Sequence, residues 1–340
     1  MEERENSAES SVGEEHRGVH IARERLQIGA VALGVAFIFL ASTILQSVLH
    51  LLILWNAPTL VSAQWYRWVI GSLPMYLFAM PLSLLVFRLG RAHPPASRER
   101  LSVPVLLGLL SICFGLTFGG QVLGDLINSV IGAITGRTPE NELENMTLNA
   151  PLWANLLFVG ILAPVMEELF YRKLVIDRLR RYGDLFAVIS SGILFGLIHG
   201  NFHQFFYAAT IGCLFGYIYV RTGRIGYTVL LHMCVNLVGG VYTTEMLKRL
   251  DTELLAKDPL AAITSSPVGG VMYLAFSVFS ALMLLVAAVS AVFLALRWFR
   301  PTVGEKLRLT GEEWARVTLF NPGIWLLFSV VALLFANGLA

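Results

Sequence analysis

Apolar runs of about 18 residues, or close to it, recur from one end of the chain to the other, and a run of that length is what a helix needs to cross a bilayer. Nine can be drawn, over 26–55, 68–87, 101–134, from 152 onward, 185–199, 202–220, 225–242, 268–298 and 319–339. Hydrophobic residues make up 56% of the 340-residue chain and charged residues 14%, with a mean hydropathy of +0.68. A soluble domain carries about a quarter charged residues. The pattern predicts an all-α, polytopic membrane helix bundle, with an eight-span core and a ninth, C-terminal span. Pro74 and Pro81 are placed to bend the second span. The third is long enough to tilt, or to end in an interfacial stretch around Asp125 and Asn128.

Several classes of function drop out at this point. The net charge is only +2, and the charges lie in short segments between apolar runs, so no nucleic-acid partner is expected. Cys113, Cys213 and Cys234 each fall singly inside an apolar run, with no C-x-x-C pair, which argues against a disulfide framework or a thiolate zinc site. Residues 1–25 are polar and rich in Glu and Arg, unlike a secretory signal, and read as an acidic, disordered tail before a retained anchor. Lys and Arg gather at 88–100, 173–181, 221–224 and 297–316, whereas the loops at 56–64 and 137–149 hold few. By the positive-inside rule this predicts a multi-pass protein, of the cell membrane, with its N-terminus in the cytoplasm.

A charge at the centre of a membrane helix costs about 2.5–3.5 kcal/mol on insertion scales, so such residues face the protein interior and are kept for a reason. Here they concentrate on three runs: Glu167, Glu168 and Arg172; His199, with His203 just beyond it; and His232. Residues four apart share a helix face, which pairs Glu168 with Arg172, Phe195 with His199, and His232 with Asn236. Glu167 is turned about 100° from Glu168 and is the freer carboxylate. His199 and His203 share a face only if the helix continues through Gly200-Asn201, and a break there is equally compatible. A carboxylate, two histidines and an amide suit attack of water on an amide carbonyl. Two histidines and a glutamate also form a known hydrolytic zinc set, so Glu167, His199 and His232 are candidate ligands for Zn2+ or another divalent metal. Helix rise puts Glu167 about 20 Å from Arg180 and His199 about 24 Å from Gly183, but His232 only about 12 Å from Arg224; the third depth disagrees with the first two. Taken singly, each residue also has a plainer reading: Glu168 with Arg172 as a structural ion pair, His203 as an interfacial histidine.

The segments EELFYR (167–172), FGLIH (195–199) and HMCVN (232–236), in this order on apolar runs, resemble the motifs of the CPBP family, the CAAX prenyl endopeptidase type also called ABI. The resemblance covers residues 150 to 240. It implies an intramembrane endopeptidase, of a family labelled metalloprotease, with its site open to the cytoplasmic half of the bilayer. It further implies that Glu167 activates water, that His199 assists it, and that His232 and Asn236 form an oxyanion site. Glu168, Arg172, Phe195 and His203 would shape the site or bind substrate, and the H-E-x-x-H helix of a conventional zinc site is absent. The substrate implied is a membrane-embedded peptide or a lipidated, CAAX-type protein within the lipid bilayer. On this reading the chain divides into the tail (1–25), N-terminal spans (26–149), the catalytic transmembrane core (150–245), a loop and eighth span (246–300), and a cytoplasmic segment with the ninth span (301–340). The competing expectations are a non-catalytic scaffold or bacteriocin-immunity protein, and a transporter using Glu167 and the histidines as a proton relay.

Overall fold

The computed structural model describes residues 2–299 and 309–338, with side chains from Gly18 onward. The side chains of the first 17 residues of the polar tail, and residues 301–308 of the segment before the last span, lie outside the described residues. Every regular element among the described residues is helical. The long ones are α1 (Glu2–Asn56), α2 (Tyr66–Phe87), α3 (Val103–Thr135), α5 (Leu152–Tyr182), α8 (Ile225–Leu247) and α9 (Pro267–Arg297), with a short α4 (Glu142–Leu148) ahead of α5. Each of the six long helices contains a stretch long and apolar enough to cross a membrane, that of α1 running over Gly18–Asn56. The paired α10 (Gly311–Thr318) and α11 (Pro322–Gly338), bent by 63°, would make a seventh span.

The structure departs from the nine drawn runs in the middle of the chain. The run at 185–199 is α6 (Asp184–Leu197), only 14 residues long, and α7 (Phe202–Thr222) folds straight back along it. Neither is among the helices apolar and long enough to span. The hairpin closes at Gly200, whose φ of +67° is open to glycine, and at Asn201, whose side chain accepts from the Gln204 N–H and caps α7. Small residues let the two helices touch. A Cβ at Gly192 would meet the Cys213 sulfur and backbone, and one at Gly196 would lie 2.7 Å from the Phe205 carbonyl.

The prolines act as their chemistry requires. Pro74 and Pro164 offer no N–H to the carbonyl four residues back. The backbone widens into π-helical turns at Pro74–Ala79, beginning on the first proline, and at Asn155–Leu162, just ahead of the second. Further π turns cover Leu169–Ile176 and Leu237–Tyr242. Residues 18–25, read from the sequence as part of a disordered tail, instead belong to α1. The fully buried Glu24 carboxylate accepts from Arg181 Nη2 at 2.7 Å and from the Tyr182 hydroxyl at 2.8 Å, so charge there is matched by partners at the end of α5.

The two ends of the bundle are distinct. At one end the arginine-bearing segments interlock: Arg178 Nε donates to the Phe87 carbonyl at 2.7 Å, Arg180 Nη1 to the His93 carbonyl at 2.9 Å, and Arg221 pairs with Glu99 at 2.8 Å. At the other, Arg67 pairs with Glu142 at 3.1 Å, Lys248 Nζ donates to the Ala150 carbonyl at 2.7 Å, and the Tyr242 hydroxyl to Met272 at 2.9 Å.

Candidate functional site

α5 carries both glutamates at the end of a short α-helical stretch, Ala163–Glu168, set between its two π turns. A π turn takes more residues to advance one turn, so α5 is shorter than straight α-helical rise implies. That brings Glu167 somewhat nearer the arginine-rich end and narrows the depth mismatch with His232 without removing it.

Glu168 and Arg172 close on each other as the four-residue spacing requires. Arg172 Nε donates to Glu168 Oε2 at 2.8 Å and Nη2 to Oε1 at 3.0 Å, a bidentate pair with both side chains fully buried. Arg172 Nη1 also donates to the Ser191 hydroxyl at 3.0 Å. The guanidinium lies 5.8 Å from the Phe195 ring centre and 5.9 Å from that of Phe215. This cluster is sealed: neither Glu168 nor Arg172 borders open space.

Glu167 is placed differently. It lines a cavity of about 670 Å³ together with His199 from the turn after α6, His203 from α7, and His232 and Asn236 from α8. α2 and α3 supply the opposite wall through Tyr76 and Gln121. The Tyr76 hydroxyl donates to Glu167 Oε1 at 3.4 Å. His232 stands between the two glutamates, with Nδ1 3.3 Å from Glu168 Oε1 and Nε2 3.8 Å from Glu167 Oε2. His199 Nδ1 donates to the Phe195 carbonyl at 2.7 Å, which leaves Nε2 for the cavity. The Phe195 ring sits edge-on to both histidines, at 5.2 Å from His199 and 5.6 Å from His232. Asn236 Nδ2 donates to the Val159 carbonyl at 3.0 Å, so one of its two amide hydrogens is committed to α5.

His203 is separated from His199 by the Gly200-Asn201 turn. Its Nε2 donates to the Pro139 carbonyl at 3.1 Å, and its Nδ1 lies 3.4 Å from Asp125. It therefore lines the cavity on a different wall and is tied to the end of α3. Asn128 is buried without a side-chain hydrogen bond, but does not line the cavity.

Among the described residues no group of three His, Cys, Asp or Glu is arranged to hold a metal ion. Glu167, His199 and His232 share the cavity: His232 has Nδ1 3.3 Å from Glu168 and Nε2 3.8 Å from Glu167, and His199 has Nδ1 on the Phe195 carbonyl, which leaves its Nε2 to the cavity. Among the described residues these three are not gathered into a ready three-donor set for Zn2+ or another divalent metal.

Three residues of the site carry no motif signal. Tyr76 lies 91 positions before Glu167, Ser191 belongs to an ordinary apolar run, and Tyr207 borders the cavity while accepting from Gln204 Nε2 at 3.1 Å. The nearest hint was Pro74, whose turn carries Tyr76.

Comparison with known proteins bears out the resemblance read from the three motifs. Residues 149–238 match the family model described as Type II CAAX prenyl endopeptidase Rce1-like. Over 140 residues the chain is 23% identical to "Putative membrane peptidase YdiL" of Bacillus subtilis (strain 168), covering 41% of this chain and 56% of that protein. Over 88 residues it is 28% identical to "Membrane-embedded CAAX protease MroQ" of Staphylococcus aureus (strain USA300), covering 24% of this chain and 36% of that protein. The chain thus spans about half the length of the first relative and about a third of the second. No solved structure matches it significantly.

Proposed function

Starting from a polytopic membrane protein that carries an Rce1-like CAAX prenyl endopeptidase domain over residues 149–238, we propose that this chain is an intramembrane endopeptidase. It hydrolyses a peptide bond of a membrane-associated substrate, with CAAX-type lipidated proteins one class to test. The observation that supports this most is the separation of the two glutamates: Glu168 is closed off by Arg172, while Glu167 faces the cavity beside the two histidines.

In this reading Glu167 takes a proton from water, whose oxygen adds to the carbonyl carbon. The proton then passes to the leaving amine as the tetrahedral species collapses. His199, with Nδ1 committed to Phe195, accepts a hydrogen bond from the same water at Nε2. The distances favour a changed role for His232. Both of its nitrogens face glutamates, so it orients Glu167 rather than standing as an oxyanion donor. The remaining amide hydrogen of Asn236 serves the oxyanion. Glu168 and Arg172 hold the frame, and His203 borders the substrate's path.

The test uses the full chain in lipid nanodiscs with prenylated and unprenylated membrane peptides, alongside membrane proteomes of cells making the wild-type chain or Glu167→Gln. The expected result is a loss of about 10²–10⁴-fold in cleavage for Glu167→Gln, with unfolding temperature unchanged. A Glu167→Gln chain that cleaves at the wild-type rate removes the assignment.

A further inference from the structure

Every residue lining the cavity lies between the level of the glutamates and one end of the bundle. The lining ends at Asn141, Glu144 and Thr147, and at Thr243, Thr244 and Leu247, and nothing from 88–102, 177–184 or 221–225 contributes to it. Beneath the glutamates, Tyr171, Arg172, Phe87 and Tyr219 are each buried to within 1%. The cavity therefore extends from the glutamates towards the end opposite the arginine clusters.

The charge distribution says which end that is. The cavity end carries Arg67, Arg137, Lys248, Arg249 and Lys257, spread over three connections. The other end gathers Arg88, Arg91, Arg98 and Arg100 in one loop, Arg178, Arg180 and Arg181 in the next, and Arg221 and Arg224 after that. Basic residues in short loops stay in the cytoplasm. The α6–α7 hairpin returns the chain to the end it left, since Arg180 pairs with Asp184 at 2.7 Å at its start and Arg98 reaches the Gly223 carbonyl at 3.4 Å at its finish. The orientation of the other helices is thus the same whether or not the hairpin crosses the bilayer.

We infer that the cavity is entered from the non-cytoplasmic face, and that its substrates are membrane-anchored peptides presenting the scissile bond on that side. This rests on the endopeptidase reading, and it reverses the cytoplasmic access that the resemblance implied. A lipidated substrate would then have to present its scissile bond on the non-cytoplasmic side. The cavity is walled by Trp68, Phe114, Phe118, Phe276 and Phe279, which suits an apolar segment entering from the outer leaflet.

The experiment uses the full-length chain in bacterial spheroplasts, with the three native cysteines kept and the wild-type chain as background. Glu144→Cys stands at the exposed cavity rim, Ser72→Cys on its inner wall, and Ala96→Cys in an exposed loop of the arginine-rich end. A small membrane-impermeant thiosulfonate should modify Glu144→Cys and Ser72→Cys in intact spheroplasts, and Ala96→Cys only after permeabilisation. The opposite pattern overturns the inference. Modification of Glu144→Cys without Ser72→Cys, in a chain that still folds, overturns the access route while leaving the orientation. Labelling reports the entry side whether or not the chain cleaves anything. The Glu167→Gln cleavage test reports the endopeptidase reading alone, so the two can fail separately.

Discussion

Towards the arginine-rich loops, α5 is packed against full-sized side chains. Phe170 meets Phe87 and Tyr171 edge-on at 5.4 and 5.0 Å, Tyr171 meets Phe195 at 5.1 Å, and Tyr219 donates to Asp177 at 2.8 Å. Towards the other end, the same helix contributes Phe158, Val159 and Ala163 to the wall of a cavity, and only a small core of Trp68, Ala150, Ala154, Phe158, Val159 and Val241 closes around it. One helix thus runs from a filled half into a hollow half, and Glu167-Glu168 stands at the boundary. The difference teaches how a membrane helix keeps two adjacent carboxylates. The one facing the filled half is neutralised by an arginine that the packing holds still. The one facing the hollow half is left for chemistry.

The contrast predicts opposite responses on either side of the boundary. Arg172→Met leaves the Glu168 carboxylate in a sealed cluster with only His232 beside it, a loss of about 3–5 kcal/mol for a broken buried pair. Thermal unfolding of the solubilised full chain should fall sharply, and Glu168→Gln added to Arg172→Met should restore part of it, because removing both charges removes the penalty. If Arg172→Met unfolds like the wild type, the filled half is not held by this pair. A smaller effect is expected one layer out. Gly192→Leu forces its side chain into Cys213 and Ala209 of α7. Overpacking of this kind costs about 1–3 kcal/mol, and it moves Phe195 on the same helix and, through the Phe195 carbonyl, His199 in the turn that follows. Cleavage should therefore drop more than stability does; equal losses would mean that the hairpin supports the bundle and does not position His199.

The filled half was the more legible one. The four-residue spacing of Glu168 and Arg172 is a local relation, and it survives in the structure as a bidentate pair. The three motifs were visible because each lies within one helical turn or two. The hollow half depends on residues far apart in sequence, such as Tyr76 with Glu167, and these leave no periodic trace. The α6–α7 pairing was not legible either, because an apolar run of 15 residues reads the same whether it crosses the bilayer alone or packs as α6 against α7. The helical π turns were also hidden, since Pro74 and Pro164 show that a bend is needed but not how the backbone absorbs it. Two contacts of the C-terminal α11 were equally unreadable: Leu334 packs against Gly200, and Phe335 meets Phe202 with ring centres 5.0 Å apart. They place that helix behind the turn that carries His199, so a segment outside the matched family region helps to set the site.

The smallest expected effect tests whether the hollow half has working parts of its own. Tyr76 belongs to α2, outside residues 149–238, and reaches Glu167 through a single long hydrogen bond of 3.4 Å. Tyr76→Phe removes that oxygen and keeps the ring, so packing along α2 is preserved. A well-placed hydrogen bond to a charged group contributes about 1.5–3 kcal/mol; stretched to 3.4 Å this one contributes about 1 kcal/mol, which corresponds to about a fivefold fall in kcat. KM should stay unchanged, because the hydroxyl orients Glu167 and does not bind the peptide. A fall as large as that of Glu167→Gln would place Tyr76 among the reacting groups and extend the machinery to the N-terminal spans. A raised KM with unchanged kcat would make α2 a substrate wall instead. Either result redraws the boundary on the hollow side, whereas the filled side, with no residue of α2 bonded to Glu168 or Arg172, should not register the change at all.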